Sequence, residues 1–292
     1  MKRISILIPT YNTDCTALVE ALCTQADDLN MEYEVIVADD ASPDRNAVAP
    51  NESINTLPHC RLMTLTDNIG RAAIRNFLAR EAQYEWLLFI DSDMVMCRKD
   101  FLRRYVESDG ASVYDGGITV GKYVKGNLRS MYEKAAEQQH TAEKRKQTPY
   151  QHFHTANFMV SKDIMLKYPF DERFRRYGYE DVLFGKQLKE HGIAVCHLDN
   201  PLSFEVFETN EHFVAKTEEG LSTLFQFRNE LQGYSGLLDI ANKMGPAATL
   251  LRLWHRICGR WERQLLTGSH PSLAIFKLYR LGYFVSLKPT CC

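Results

Sequence analysis

An α/β fold with a mostly parallel central sheet is the architecture that the N-terminal third of this chain predicts. Two observations carry that reading. Short apolar runs rich in β-branched residues alternate with segments of helical periodicity. Several of the runs end abruptly in polar or acidic residues, at "PTYN" (9–12), "DDAS" (39–42) and "DSD" (91–93). In open parallel sheets, ligands bind beyond the carboxyl ends of the strands. One such tip is an ordinary turn, because Asp and Asn favour turns. Three on one edge describe a site.

The elements follow in order. Residues 4–8 form a short apolar strand, stopped by Pro9. Residues 17–29 have helical spacing through Leu18, Val19, Leu22 and Leu29. The stretch "YEVIVA" (33–38) is a strand, 61–65 a weaker one, and 71–81 a helix with Ile74, Phe77 and Leu78 on one face. Residues 86–90 are the strand that runs into Asp91 and Asp93. Strand–helix alternation of this kind predicts a sheet covered by helices. Further on, 128–146 reads as a polar, solvated helix and "HFHTANFMVS" (152–161) as a loop entering a strand. Residues 179–191 read as a helix ended by Gly192, and 193–198 as a strand. Beyond residue 209 the pattern is helical. A composition shift at 235–246 predicts a boundary between a catalytic domain, 1–235, and a helical C-terminal extension, 236–292.

Composition sets limits on function. A net charge of −2 argues against nucleic acid as a partner. Eight scattered cysteines without a CxxC pair read as reduced thiols of a cytoplasmic protein. The Cys291-Cys292 terminus does not match a prenylation signal. The N-terminal apolar stretch is too short for a signal peptide, and no run approaches the roughly 18 apolar residues of a membrane span. The expected location is therefore the cytoplasm, with the inner face of the cell membrane as an option.

Two like charges at a strand tip repel unless water or a cation holds them. An Asp-x-Asp turn suits a hard divalent ion, Mg²⁺ or Mn²⁺, which keeps waters and bridges to phosphates. Gly-rich phosphate loops are absent from the sequence. A nucleoside diphosphate would thus be met by the ion and by basic side chains such as Arg71 and Arg75.

The ordered segments "ISILIPTYN", "VIVADDASPD", "DNIGRAAIRNFLA", "WLLFIDSDM" and "FRRYGYEDVLFGKQLKEHG" together resemble family 2 of the glycosyltransferases. These are inverting enzymes of GT-A fold that use nucleotide-sugar donors. The resemblance covers roughly residues 1–230. It implies that Thr10, Tyr11 and Asn12 line the nucleoside pocket, with Tyr11 against the base. Asp40, with Asp39, would accept hydrogen bonds from base or ribose. Asn68, Gly70, Arg71 and Arg75 match the segment that closes around the donor. Asp91 would face the ribose or sugar, Asp93 would bind the metal, and Asn157 would lie near the transferred sugar. Glu180-Asp181 matches the acidic pair that supplies the catalytic base, with Asp181 preferred. Acidic residues in a first helical turn also stabilise the helix macrodipole without any catalytic role.

One position departs from the pattern. Members of the family often carry a further metal-binding histidine shortly after the strand that follows the acidic helix. Phe204 stands where that histidine is expected. His197 is the nearest substitute, with His152 and His154 as others.

The reading is an inverting glycosyltransferase of the hexosyl or N-acetylhexosaminyl type, with a divalent metal. It would move a sugar from a nucleoside diphosphate, UDP favoured, to a hydroxyl of a glycan or lipid-linked acceptor in polysaccharide biosynthesis. The alternatives are a sugar-phosphate nucleotidyltransferase, which should carry a Gly-rich basic loop where "PTYNTD" stands, and a nucleotide-sugar-binding protein that has lost turnover. The C-terminal segment adds a separate feature. From Gly245 onward there are seven Lys/Arg and one acid, Glu262. Leu250, Leu253, Trp254, Ile257, Trp261 and Leu265 share one helical face, and Arg252, Arg256, Arg260 and Arg263 cluster on another. Such a helix either contacts an anionic membrane surface peripherally or packs on the catalytic domain with solvated arginines.

Overall fold

A computed structural model describes residues 2–288; the Cys291-Cys292 pair lies outside the described residues. The chain divides into two compact units. The first holds the residues up to Gly121 with Gln139–Arg175 and Glu180–Glu205. The second holds Lys122–Gln138, Arg176–Tyr179 and the chain from Val206 onward.

The first unit is built on a sheet whose strands run β3 (Cys60–Thr64), β2 (Tyr33–Asp39), β1 (Ile4–Thr10), β4 (Trp86–Ile90), β8 (Asn157–Ser161), β6 (Val113–Asp115) and β9 (Val195–His197). Neighbours are parallel except at β8, which runs antiparallel to both β4 and β6. A smaller sheet pairs β10 (Leu202–Phe204) with β5 (Met94–Val95) and β7 (Ile118–Val120). The predicted strands at 4–8, 33–38, 61–65 and 86–90 are all present. Every residue of β2 is buried, as expected of a parallel strand covered on both faces.

Helices α1 (Thr16–Asp28), α2 (Arg45–Val48), α3 (Arg71–Glu81), α4 (Phe101–Val106), α6 (Ala142–Gln147), α7 (Lys162–Lys167) and α8 (Glu180–Glu190) belong to this unit, and α5 (Leu128–Glu137) to the other. Residues Ile74 and Leu78 of α3 and Phe184 and Leu188 of α8 share one core cluster with Phe89 of β4 and Phe158 of β8. Phe89 and Phe158 stack at 4.8 Å, and Phe170 and Phe184 at 4.4 Å. This packing fixes α3 and α8 against the strand that carries the acidic turn. Gly192, at φ +67°, follows α8 in the left-handed conformation that ends helices.

The expected solvated helix over 128–146 is instead two helices, α5 and α6, and two of its cations are not solvated. Arg145 is buried, because its guanidinium donates to Asp115 (2.7 Å) and to the carbonyls of Gly116 and Leu198. Arg129 is buried against Glu208 within the second unit. That unit gathers α5, α9 (Asn210–Gln226), α10 (Gly236–Lys243), α11 (Ala247–Thr267) and α12 (Leu273–Ser286). Leu128, Phe213, Val214, Leu266, Phe276 and Tyr279 form its core. The six described cysteines are free thiols, in line with the absence of a disulfide framework from the sequence.

Asn157, at the start of β8, ties the two sheets of the first unit together. Its carboxamide donates to Gly117 O (2.9 Å) and Asn200 O (2.8 Å) and accepts from the Tyr105 hydroxyl (2.8 Å). Gly116 lies against this knot: a Cβ there would fall under 3.0 Å from the Tyr105 hydroxyl, the Asn157 amide and Asn200 O. Gly116→Ala is therefore expected to destabilise the fold by about 1–3 kcal/mol, the cost of overpacking a tight site. Thermal unfolding measures it, and an unchanged midpoint would show that the knot yields.

Candidate active site

The register of the sheet sets the site. Thr10 of β1 pairs with Asp39 of β2, and β1 and β4 run parallel, so three polar tips lie on one edge. These tips are knitted to one another. Asp39 accepts from the Ser42 amide (3.1 Å) and from its hydroxyl. The Ser42 hydroxyl in turn accepts from the Asn12 amide (2.8 Å), and Asn12 Oδ1 accepts from the Asp44 amide (3.0 Å). Thr10 is buried, its hydroxyl donating to Thr13 O (3.0 Å). Tyr11, between them, is 48% exposed and leaves its ring available to a ligand. Ser42 was not singled out in the sequence; a serine two residues after an acidic pair is a common turn former and gives no signal by itself.

Asp40 does different work from its neighbour. Its two carboxylate oxygens accept from the amides of Ile69 (2.7 Å) and Gly70 (3.0 Å), and its carbonyl accepts from Asn68 Nδ2 (3.0 Å). Asp40 thus holds the loop that leads into α3. Gly70 sits at φ +88°, and a Cβ would come within 3.2 Å of Arg175 O, so both backbone angle and space call for glycine.

Helix α3 then projects Arg71 and Arg75 toward two acidic elements. Arg75, almost fully buried, donates to Asp91 at the tip of β4. Arg71 donates to Asp91 (3.2 Å) and to Glu180 at the start of α8 (3.0 Å). Arg75 also lies 3.9 Å from Glu180. Three elements distant in sequence are cross-linked by charge. Burial opposes ionisation of Asp91, but Arg75 and Arg71 outweigh it and hold its pKa below the usual carboxylate range. Asp181, one residue beyond Glu180, has the opposite balance. Burial and the Glu180 charge push it up to about 7, against a weaker pull from Arg71 and Arg75. Tyr179, just before the pair, has φ +70°, an uncommon angle for an aromatic residue.

Asp93 follows on the turn between β4 and β5 and is half-buried. Both oxygens of Asp91 are taken by guanidiniums, so Asp91 is a poor second metal ligand. Phe204 pairs across from Met94 in the small sheet, beside Asp93, and offers no donor atom there. The expected substitutes lie elsewhere. His197, in β9, has Nδ1 3.0 Å from Arg145 and Nε2 2.8 Å from Pro149 O, so both ring nitrogens are engaged internally. His154 and His152 gather with His140 near Arg145 of α6 and Asp115 of β6, the strand that lies beyond β8 from β4. Asn157 differs from expectation as well: it is buried and its carboxamide is spent on the internal knot. No group of three or more His, Cys, Asp or Glu is arranged as metal ligands among the described residues. The donor set fits a hard cation only as Asp93 completed by phosphate oxygens and water, a mode that Mg²⁺ accepts.

Comparison with known proteins identifies the family and the fold. The family model described as "Glycosyl transferase family 2" matches residues 5–168. Among curated proteins, the poly(ribitol-phosphate) β-N-acetylglucosaminyltransferase TarS of Staphylococcus aureus is 31% identical over 117 residues, 39% of this chain and 19% of that protein. The chondroitin synthase of Pasteurella multocida is 22% identical over 268 residues, 79% of this chain and 27% of that protein. The chain thus spans a fifth to about a quarter of these two relatives. Among solved structures, a mannosyltransferase of Pyrobaculum calidifontis, in complex with GDP-Man and Mn²⁺, superposes with a TM-score of 0.54 at 16% identity, covering 96% of this chain and 86% of that one. Residues 1–349 of S. aureus TarS, in complex with UDP-GlcNAc, superpose at 0.51 and 18% identity, covering 98% and 90%. At these identities the likeness concerns the fold. The acidic pair of α8 lies beyond the segment matched by the family model.

The raised pKa of Asp181 has a consequence for stability. Its folded value lies above its unfolded value, so ionisation costs the folded state free energy. The cost is absent below the unfolded value of about 4 and complete above about 7. Asp181→Asn removes it. The variant should melt above wild type at pH 8, by roughly 2–4 °C per kcal/mol relieved, with the difference closing toward pH 4. Scanning calorimetry across pH checks this; a variant less stable at pH 8 would contradict it.

Proposed function

Because the chain belongs to glycosyl transferase family 2, we propose that it transfers a sugar from a nucleoside diphosphate donor to an acceptor hydroxyl, with inversion at the anomeric carbon. A UDP-linked hexose or N-acetylhexosamine is the favoured donor, and a glycan or lipid-linked glycan the favoured acceptor. The observation that carries the proposal is the contrast between Asp91 and Glu180, bound by Arg71 and Arg75, and Asp181, whose pKa is raised to about 7.

An inverting transfer needs one base on the face opposite the leaving group, and its pKa is best placed near working pH. Asp181 meets that requirement and takes the proton from the acceptor hydroxyl as it attacks. Glu180 anchors the start of α8 to Arg71 and so aims its neighbour. Tyr11 stacks on the base, while Asp39 and Asp40 fix the strand tip and the loop beneath the nucleoside. Asn68 and Gly70 shape that loop. Arg71, partly exposed, is within reach of donor oxygens as well as of Asp91 and Glu180. Asp93 is the residue that would hold Mn²⁺ or Mg²⁺ against the diphosphate. When bound, such an ion would offset the charge that builds on the leaving group. In this scheme Asn157 and His197 support the scaffold and touch neither donor nor ion.

Asp181→Asn should retain donor affinity by calorimetry and lose at least about 10²-fold in transfer, the usual share of a general base. In the wild type, kcat/KM should rise with pH through an apparent pKa near 7, and the residual rate of the variant should lack that limb. Incubation with a panel of nucleotide sugars and analysis of released nucleoside diphosphate reads both. Near-normal turnover in Asp181→Asn would reassign the base, and no turnover of any nucleotide sugar would remove the proposal.

A further inference from the structure

Helix α11 carries a surface that the transfer reaction does not use. One side of it packs within the second unit, where Gly259, Glu262 and Leu266 are buried. Arg252 donates to Val285 O of α12 (2.9 Å), and Arg263 donates to Glu218 of α9 (2.9 Å). The opposite side is open. Leu250, Leu253, Trp254, Ile257 and Trp261 remain 45–72% exposed. At 1.5 Å per residue this stripe is about 16 Å long, and at 100° per residue it faces away from Gly259 and Leu266. Contiguous apolar surface of this kind marks an interaction site.

Charge says what covers it. Arg256 and Arg260 border the stripe on one flank, are exposed, and have no ion pair among the described residues. Glu262, the sole acid of the helix, is buried, accepts from Trp254 Nε1 (2.7 Å) and lies 3.6 Å from His255. The exposed face therefore presents apolar side chains and cations with no anion to balance them. A second copy seated symmetrically on the stripe would bring its own arginines, not acids, to the contact. No helix of the described residues is long and apolar enough to cross a membrane. A helix that is apolar along one side, cationic along its flank and set with indoles matches the interface of an anionic bilayer, where indoles settle at headgroup depth and guanidiniums meet phosphates.

We infer that α11 lies flat on an anionic lipid surface, with Leu250, Leu253, Trp254, Ile257 and Trp261 inserted among the acyl-chain ends and Arg256 and Arg260 on lipid phosphates. This goes beyond the proposed transfer reaction and does not depend on it. Flotation of the full chain tests it, using phosphatidylglycerol/phosphatidylethanolamine vesicles beside pure phosphatidylcholine vesicles. Wild type should float with the anionic vesicles and not with the zwitterionic ones. Arg256→Glu/Arg260→Glu should lose at least about tenfold in recovery, since each basic residue near such a surface is worth about 1 kcal/mol; Leu253→Glu/Ile257→Glu should lose at least about tenfold too, since it replaces two inserted apolar side chains with charges of the lipid's own sign. The side chains are exposed, so unfolding midpoints should match wild type; Leu253→Gln/Ile257→Gln serves if the acidic pair perturbs the fold. Failure of wild type to float, equal recovery on both lipids, or unchanged recovery of the folded variants overturns the inference. So does a dimer in sedimentation velocity that the stripe variants dissolve, which would assign the face to a second copy.

Discussion

Two guanidinium groups spaced one helical turn apart hold the candidate site together. Arg71 and Arg75 reach from α3 to Asp91 on β4 and to Glu180 on α8. Without them, two carboxylates from separate elements would be brought close in a region sheltered from water, at a cost of several kcal/mol per uncompensated charge. With them, Asp91 and Glu180 are neutralised and α8 is fixed relative to the sheet edge. Two cations then face three carboxylates, and the excess falls on Asp181. Its raised pKa follows first from burial and then from this imbalance. A carboxyl group poised near neutrality and a rigid scaffold thus arise from one arrangement of charge.

The backbone around the same edge is held at uncommon angles. Asn12 and Ala41 adopt positive φ without being glycine, and Gly70 joins them. Such angles cost of order 1–3 kcal/mol each and persist where surrounding contacts over-determine them. Here the contacts are visible: Ser42 bridges Asn12 and Asp39, and Asp40 clamps Ile69 and Gly70. The strand tips are therefore shaped in advance, which would reduce the ordering cost of binding a ligand there.

Much of this was legible in the chain because local chemistry dictated it. Apolar runs in β1, β2 and β4 stopped at polar tips, and parallel register then placed those tips together. The pairing of Arg71 and Arg75 with Asp91 and Glu180 was not legible, since periodicity does not say which distant acid a cation meets. Asn157 and His197 illustrate the same gap from the other side. The resemblance puts Asn157 near the transferred sugar, and His197 is the nearest substitute for the histidine missing at 204, yet burial requires each to spend its polar atoms on internal partners. The polar stretch 128–146 failed for a related reason. Arg145 is cationic and reads as solvated, but the buried Asp115 on β6 draws it inside. At position 204, which β10 sets beside the Asp93 turn, phenylalanine supplies packing and no ligand atom.

The most direct measurement is a carbon-13 NMR titration of the carboxyl groups in the unliganded protein, with Asp91 and Asp181 assigned by substitution. The charge arrangement described here requires Asp181 to titrate near 7 while Asp91 stays ionised to below the ordinary aspartate range. An Asp181 that titrates like a solvent-exposed aspartate, or an Asp91 that gains its proton first as the pH falls, would contradict it.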